Sequence, residues 1–211
     1  MEQAVATPKR DFEYAYWKAM LTGVVKPKIS ITPYVPDRRV TPPRCLPISS
    51  AWMGIETILG DLIERFDLRT ERCLEFGVEY GFSTAALSSY FGSVVGVDTF
   101  MGDKHTANLR DFYAETVENL RPFGNIRLVR SDYRDYIVKD DSVYDLIHVD
   151  IVHTYADTFR CGLWSAKRSQ CTIFHDTESF PEVKQAVMDV ARSTGKRFYN
   201  FDESYGLGIL V

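Results

Sequence analysis

The sequence predicts an α/β fold: a mostly parallel sheet with helices on both faces, closed by an antiparallel last strand and preceded by an N-terminal extension. Three observations carry this. Apolar runs of strand length alternate with helical-period segments from residue 49 to 211; residues 73–98, CLEFGVEYGFSTAALSSYFGSVVGVD, spell strand, glycine turn, helix and strand; and polar residues collect where successive strands end.

Taken in order, residues 1–48 form an extension with a texture of their own, and residues 49–211 the main domain. Phe12, Tyr14, Tyr16, Trp17 and Leu21 make an aromatic patch suited to a short helix. Pro27, Pro33, Pro36, Pro42, Pro43 and Pro47 then exclude regular helix or a central strand. The extension is expected to lie across the body, either as a substrate lid or as a strap over a sheet edge or subunit contact, so a homo-oligomer stays open. Ile55, Ile58, Leu59, Leu62, Ile63 and Phe66 repeat at helical spacing, placing a helix before the first strand, which ends near Glu75. The turn Gly77-Val78-Glu79-Tyr80-Gly81 opens a helix through Ser83, Ala85, Ala86 and Leu87, and Val94-Val95-Gly96-Val97 makes the second strand, stopping on Asp98. Leu109, Phe112, Tyr113, Thr116, Val117 and Leu120 predict the next helix, ended by Pro122. Ile126-Arg127-Leu128-Val129 is a third strand, 144–150 a fourth and 171–176 a fifth, with a helix over 155–167 between the last two. Pro181 suits the first position of a helix through Val183, Ala186, Val187 and Val190, and 198–201 with 207–211 form a closing strand pair.

Composition narrows the function classes. At 211 residues the chain suits one domain with a substantial core. No apolar run approaches a membrane span and no signal pattern opens the chain, so a cytoplasmic protein without membrane contact is expected. Cys45, Cys73, Cys161 and Cys171 are widely spaced, which predicts reduced, buried thiols rather than a disulfide framework or zinc knuckle. Net charge is −4, and although residues 1–50 are mildly basic, no dense Lys/Arg stripe with interleaved aromatics offers a nucleic-acid groove. Arg38, Arg39 and Arg44 either meet an acidic small substrate or solvate a loop.

Ligands of open parallel sheets gather at the carboxyl ends of the strands. Here those ends carry Glu75 with Gly77, Asp98, Ser131-Asp132-Tyr133, Asp150, and His175-Asp176, which together define one cleft. Glycines let backbone approach a ligand closely, and an acid about 20 residues on, at the next strand tip, can accept from ribose hydroxyls. A nucleoside-bearing ligand is therefore expected. The spacing G-x-x-x-G is neither the dinucleotide pattern G-x-G-x-x-G nor a triphosphate loop.

The form E-x-G-x-x-x-G followed by a strand ending in an acid resembles motifs I and II of class I S-adenosylmethionine methyltransferases, which have a Rossmann-like sheet. That resemblance implies S-adenosylmethionine as cofactor, with Glu75 and Gly77 against its methionine half, Asp98 at its ribose, and Asp132 and Tyr133 at its adenine; Gly81 and Ser83 complete the candidate cofactor contacts. Asp132 reads equally as a turn cap.

Beyond the cofactor, His148, His153 and Asp150 fall around one strand end and His175 with Asp176 at another. His148 lies within its strand and is expected to be a hydrogen-bonded core residue. His153 lies past the strand tip, where an imidazole with an ordinary pKa of about 6.5 can take a hydroxyl proton. Carboxylates on adjacent strand ends can also hold a hard divalent cation such as Mg²⁺. The stretch D-x-x-H-x-Y over 150–155 with His175-Asp176-Thr177 is similar to cation-dependent O-methyltransferases of macrolide sugars and their cephalosporin-hydroxylase-like relatives. It implies Asp150 and His153 as catalytic residues, His153 being the base, and Asp150, His175 and Asp176 as metal ligands. His175 replaces the Glu of that group, a departure that either favours softer cations or leaves His153 to work without a metal. The expected activity is methyl transfer to a hydroxyl of a small molecule such as a sugar or phenol; the alternative is a binding domain for S-adenosylmethionine or another nucleoside, without turnover.

Overall fold

The computed structural model describes residues 28–102 and 109–211, so the aromatic patch from Phe12 to Leu21 lies outside the described residues. One eight-stranded sheet organises these residues. Its strands are β1 (Ile31–Pro33), β2 (Arg72–Phe76), β3 (Ser93–Asp98), β4 (Ile126–Arg130), β5 (Tyr144–Val149), β6 (Ser169–His175), β7 (Phe198–Phe201) and β8 (Leu207–Leu210), in the order β1-β7-β8-β6-β5-β2-β3-β4. All pairings are parallel except those of β8, which runs antiparallel to both β6 and β7. The chain steps outward from β2 to β4 and returns at β5, so the order reverses between β2 and β5, where α/β sheets form their ligand crevice.

Alternate strand residues feed two cores. Leu74, Phe76, Ile147, Val149 and Phe174 face α4 (Tyr133–Lys139), α5 (Tyr155–Ala166) and α6 (Pro181–Thr194), where Ile137, Phe159, Trp164, Val183 and Val187 cover them. Cys73, Leu146, Cys171 and Ile173 face the other way, under the 3₁₀ turn Ile55–Ile58, α1 (Leu59–Arg65) and α2 (Phe82–Ser88). Helix α3 (Tyr113–Leu120) closes a smaller cluster of Val78, Ala85, Phe100, Phe112 and Leu120. No helix among the described residues is long and apolar enough to cross a membrane.

Several expectations need correction. The helix predicted from Leu109 begins only at Tyr113; Leu109 itself is exposed, and the Asp111 carboxylate accepts from the Tyr113 N–H at the helix start. Helix α4 was not anticipated: Asp132 is its N-cap, accepting from Arg134 N at 2.7 Å, and Ile137 buries its apolar face. Cys45 is exposed, whereas Cys73, Cys161 and Cys171 are buried as expected.

The proline-rich segment supplies an edge strand, β1, which Pro33 ends at the sheet margin where a missing N–H leaves no central ladder broken. Beyond it Tyr34 is buried and donates its hydroxyl to Asp61, whose other carboxylate oxygen accepts from the Asp37 and Arg38 N–H groups. The three arginines tie this segment to the body: Arg38 pairs with Glu64, Arg39 grips both oxygens of Glu203, and Arg44 bonds Ser88 O and Asn125 Oδ1. None of the three lines the ligand cavity. Tyr34→Phe should lower stability by about 1–2 kcal/mol, because it removes one buried hydrogen bond to a charged group; urea denaturation checks this, and an unchanged midpoint would deny Tyr34 its fastening role.

Candidate functional site

A cavity of about 280 Å³ opens at the carboxyl ends of β2, β3, β5 and β6. Of the sequence-predicted residues, Gly77, Ser83, Asp98, Asp132, Tyr133, Asp150, His153, His175 and Asp176 line it. Glu75 and Gly81 do not.

Gly77 stands where β2 and β5 converge. Its N–H donates to Val97 O of β3 at 3.0 Å, and the Asp150 N–H donates to Phe76 O at 2.8 Å, so β2 is tied to β3 on one side and to the end of β5 on the other. Its φ is +88°, and a Cβ there would lie 1.6 Å from the Asp150 carbonyl oxygen. Asp98 then shapes the loop: Oδ2 accepts from the Val78 and Glu79 N–H groups at 2.8 and 3.0 Å, and Oδ1 from Phe100 N at 2.7 Å. A carboxylate has about four acceptor sites, so one remains for a ligand hydroxyl. Gly81 precedes α2 with φ +92° and packs against Leu120, away from the cavity.

Glu75 is fully buried, and its carboxylate bonds His148 Nδ1 at 2.9 Å and the Thr84 hydroxyl. It lies in the core beneath the cavity wall, while His148 is the hydrogen-bonded core residue its strand position predicts. Tyr133 lines the wall but is 8% exposed, and its hydroxyl donates to Asp157 Oδ1 at 2.6 Å. Arg134 lies over its ring at 4.9 Å and bridges Asp132 to Asp157.

The opposite wall carries two imidazoles against two carboxylates. His175 Nδ1 is 3.1 Å from Asp150 Oδ2, and its Nε2 is 3.1 Å from the Ser204 carbonyl oxygen. A carbonyl only accepts, so Nε2 must carry a proton. Burial opposes charge on this ring, but Asp150, then Asp176, hold its pKa above the ordinary histidine value. With Nε2–H donated to the Ser204 carbonyl, Nδ1 is the nitrogen that faces Asp150. Asp150, His153 and Asp176 also cluster, each offering a polar atom within 4.8 Å of the others. His153 Nε2 sits 2.9 Å from Asp176 Oδ2 and 3.5 Å from Asp150 Oδ1, with its ring stacked on Phe180 at 4.2 Å. Burial disfavours its charged form, yet hydrogen bonds to Asp150 and Asp176 outweigh this and push its pKa up to about 9. Burial likewise works against the Asp150 carboxylate, and the facing His175 and His153 overcome it, holding its pKa far below the usual range. Asp176 follows β6 at φ +63°, a left-handed conformation that turns its side chain toward Asp150 instead of along the strand.

Sequence reasoning missed the wall built by Ile48, Ser49, Ser50, Ala51 and Trp52, where the extension meets the domain. Trp52 is 2% exposed and donates its indole N–H to His148 Nε2 at 3.2 Å. No motif marks it; a lone aromatic ahead of a helix looks like core.

Residues 74–177 match the family model of a methyltransferase domain. An uncharacterized protein, y4gI, of Sinorhizobium fredii (strain NBRC 101917 / NGR234) is 31% identical over 128 residues, 53% of this chain, and the chain spans 14% of that protein's length. Among solved structures, a provisionally assigned O-methyltransferase from Klebsiella pneumoniae aligns over 100% of this chain and 91% of its own at 15% identity and TM-score 0.55. The O-methyltransferase NovP aligns over 70% and 74% at 14% identity and TM-score 0.58. CalS10, an amino pentose methyltransferase from Micromonospora echinaspora involved in calicheamicin biosynthesis and solved with S-adenosylmethionine bound, aligns over 77% and 92% at 12% identity and TM-score 0.57. At these identities the likeness to the structures is one of fold. Residues 74–177 thus resemble a methyltransferase domain, and the described residues share the fold of these solved methyltransferases, with the glycine turn at the sheet's crossover.

Proposed function

We propose that this chain transfers a methyl group from S-adenosylmethionine to a hydroxyl oxygen of a small molecule, of sugar or phenol type, with help from a divalent cation. The observation that carries the reading is the sharing of one cavity by the Gly77–Asp98–Asp132 wall and the Asp150–His153–Asp176 cluster. The first offers a close backbone approach and acids for a nucleoside, the second a base and oxygen ligands for the acceptor's side of the reaction.

In this reading the sulfonium of S-adenosylmethionine supplies an electrophilic methyl carbon, whose S–C bond breaks as the O–C bond forms, leaving a thioether. The chain's own task is alignment and proton removal. Asp98 accepts from the donor's ribose while bracing the loop, and Gly77 lets the donor's other half lie against backbone. His153, in its neutral form, takes the acceptor's hydroxyl proton at Nε2, and Phe180 holds its ring in plane. Two carboxylates beside an imidazole suit Mg²⁺ or Mn²⁺, so Asp150 and Asp176 would hold the cation, which when bound lowers the pKa of the acceptor hydroxyl.

Calorimetry with S-adenosylmethionine, with and without Mg²⁺ or Mn²⁺, tests the assignment. Asp98→Ala should weaken donor binding about 10- to 100-fold, the equivalent of one charge-assisted hydrogen bond, and a thermal melt shows whether the loop still folds. Asp176→Ala should leave donor binding within about threefold and abolish cation binding, which rests on paired carboxylate oxygens. Wild-type donor affinity in a folded Asp98→Ala variant would remove Asp98 from the cofactor site; cation binding retained in Asp176→Ala would remove the metal from the reaction.

A further inference from the structure

The buried Glu75–His148 pair has no place in methyl transfer as a ligand, yet it occupies the centre of the molecule. Glu75 and His148 are direct register partners on β2 and β5, at the sheet's crossover, and both are wholly buried. Their polar atoms run in one line from the core to the cavity wall: Thr84 Oγ1 to Glu75 Oε2, Glu75 Oε1 to His148 Nδ1 at 2.9 Å, and His148 Nε2 to Trp52 Nε1 at 3.2 Å.

Chemistry fixes the protons along this line. An indole N–H only donates, so His148 Nε2 must be an acceptor and bears no hydrogen. The ring's proton then sits on Nδ1 and points at Glu75 Oε1, while the Thr84 hydroxyl satisfies the other carboxylate oxygen. Glu75 thus selects the tautomer of His148, and that tautomer is the one that can receive Trp52. A carboxylate second partner setting the tautomer of a histidine is the same logic that orients histidines elsewhere. Trp52 ends the run Ile48, Ser49, Ser50, Ala51 and Trp52, the consecutive residues that line the cavity where the N-terminal extension meets the domain. Its indole is further seated on the His148 ring, with centroids 5.2 Å apart.

We infer that Glu75 and His148 are positioning residues that lock the Trp52 indole, and with it the 48–52 segment, as a fixed wall of the ligand cavity. Glu75 acts through His148 and touches no ligand. The relay stands on hydrogen-bond geometry; its effect on donor binding rests on the methyl-transfer reading above.

Two measurements on the full chain separate these. Long-range ¹H–¹⁵N spectra of the protein labelled at His and Trp should show His148 with its proton on Nδ1, coupled through Nε2 to the indole N–H that Trp52→Phe deletes; a His148 protonated on Nε2 overturns the inference. Calorimetry with S-adenosylmethionine should then find Glu75→Gln within about threefold of wild type, because the amide oxygen still accepts from Nδ1–H and the amide nitrogen still faces Thr84, whereas Trp52→Phe weakens binding about tenfold. A Glu75→Gln variant that keeps the Nδ1–H tautomer but loses donor binding by more than about tenfold places the carboxylate on the ligand and overturns the positioning role. Unaltered binding in Trp52→Phe removes the wall. Should wild type bind no S-adenosylmethionine, the methyl-transfer reading fails and the spectra alone decide the relay.

Discussion

Gly77→Ala is expected to cost about 3–5 kcal/mol of folding stability, visible as a fall in melting temperature of about 10 °C for a domain of this size. Two penalties add. A side chain at φ +88° costs about 1–2 kcal/mol in the left-handed region. The larger penalty is steric, because the new Cβ would meet the Asp150 carbonyl oxygen at 1.6 Å, and that oxygen is backbone that cannot swing aside. Relief requires β2 and β5 to separate at their ends, breaking the Asp150 N–H to Phe76 O bond and spreading the cavity at the crossover. Donor binding should therefore disappear with the stability, and a variant melting within about 2 °C of wild type would show that the loop has another way to accommodate a side chain. Asp176→Gly provides the contrast: its φ of +63° suits glycine, so the relief of backbone strain should offset part of the stability lost with the carboxylate's bond to His153, and the fall should be much smaller than for Gly77→Ala.

The alternation of strand and helix was legible because burial on both faces writes itself into consecutive apolar residues, and the 73–98 unit was legible because all its signals are local. What the sequence could not convey is depth along a strand. Glu75 and Asp98 look alike as acids near strand ends, yet the register pairs Glu75 with Gly96, so Asp98 lies two residues further out, about 7 Å nearer the cleft. One acid reaches the cavity and the other is sealed beneath it. The same difference separates His148 from Asp150 on β5. The surroundings of His175 were hidden for a different reason: its Nε2–H donates to the Ser204 carbonyl, contributed by a distant turn, which leaves Nδ1 facing Asp150. Helix α4 and strand β1 went unread because Asp132 and Pro33 were judged as a strand tip and a breaker, whereas each marks the end of a short element.

Cation binding should rise about tenfold per pH unit from pH 7 and level off near pH 9, a gain of about 100-fold in all. The reason lies in what the carboxylates already hold. In the metal-free protein Asp150 and Asp176 both face the His153 proton, and together they push the pKa of that ring up to about 9. A cation bound to these oxygens replaces that positive charge, so His153 must release its proton, and below pH 9 the release costs affinity in proportion to proton concentration. Above pH 9 the proton is already gone and the dependence ends. Folding stability runs the other way: a histidine whose pKa is raised above its unfolded value of about 6.5 contributes fully below that pH and loses its contribution as pH rises through about 9. The metal-free protein should thus lose stability over the very window in which Mn²⁺ affinity grows. Calorimetry of Mn²⁺ binding under argon, in buffers of different ionisation enthalpy, counts the released proton directly. His153→Gln should abolish both the release and the slope below pH 9, and a wild-type affinity that is flat from pH 7 to 9 would show that the cation does not compete for the carboxylates that hold His153.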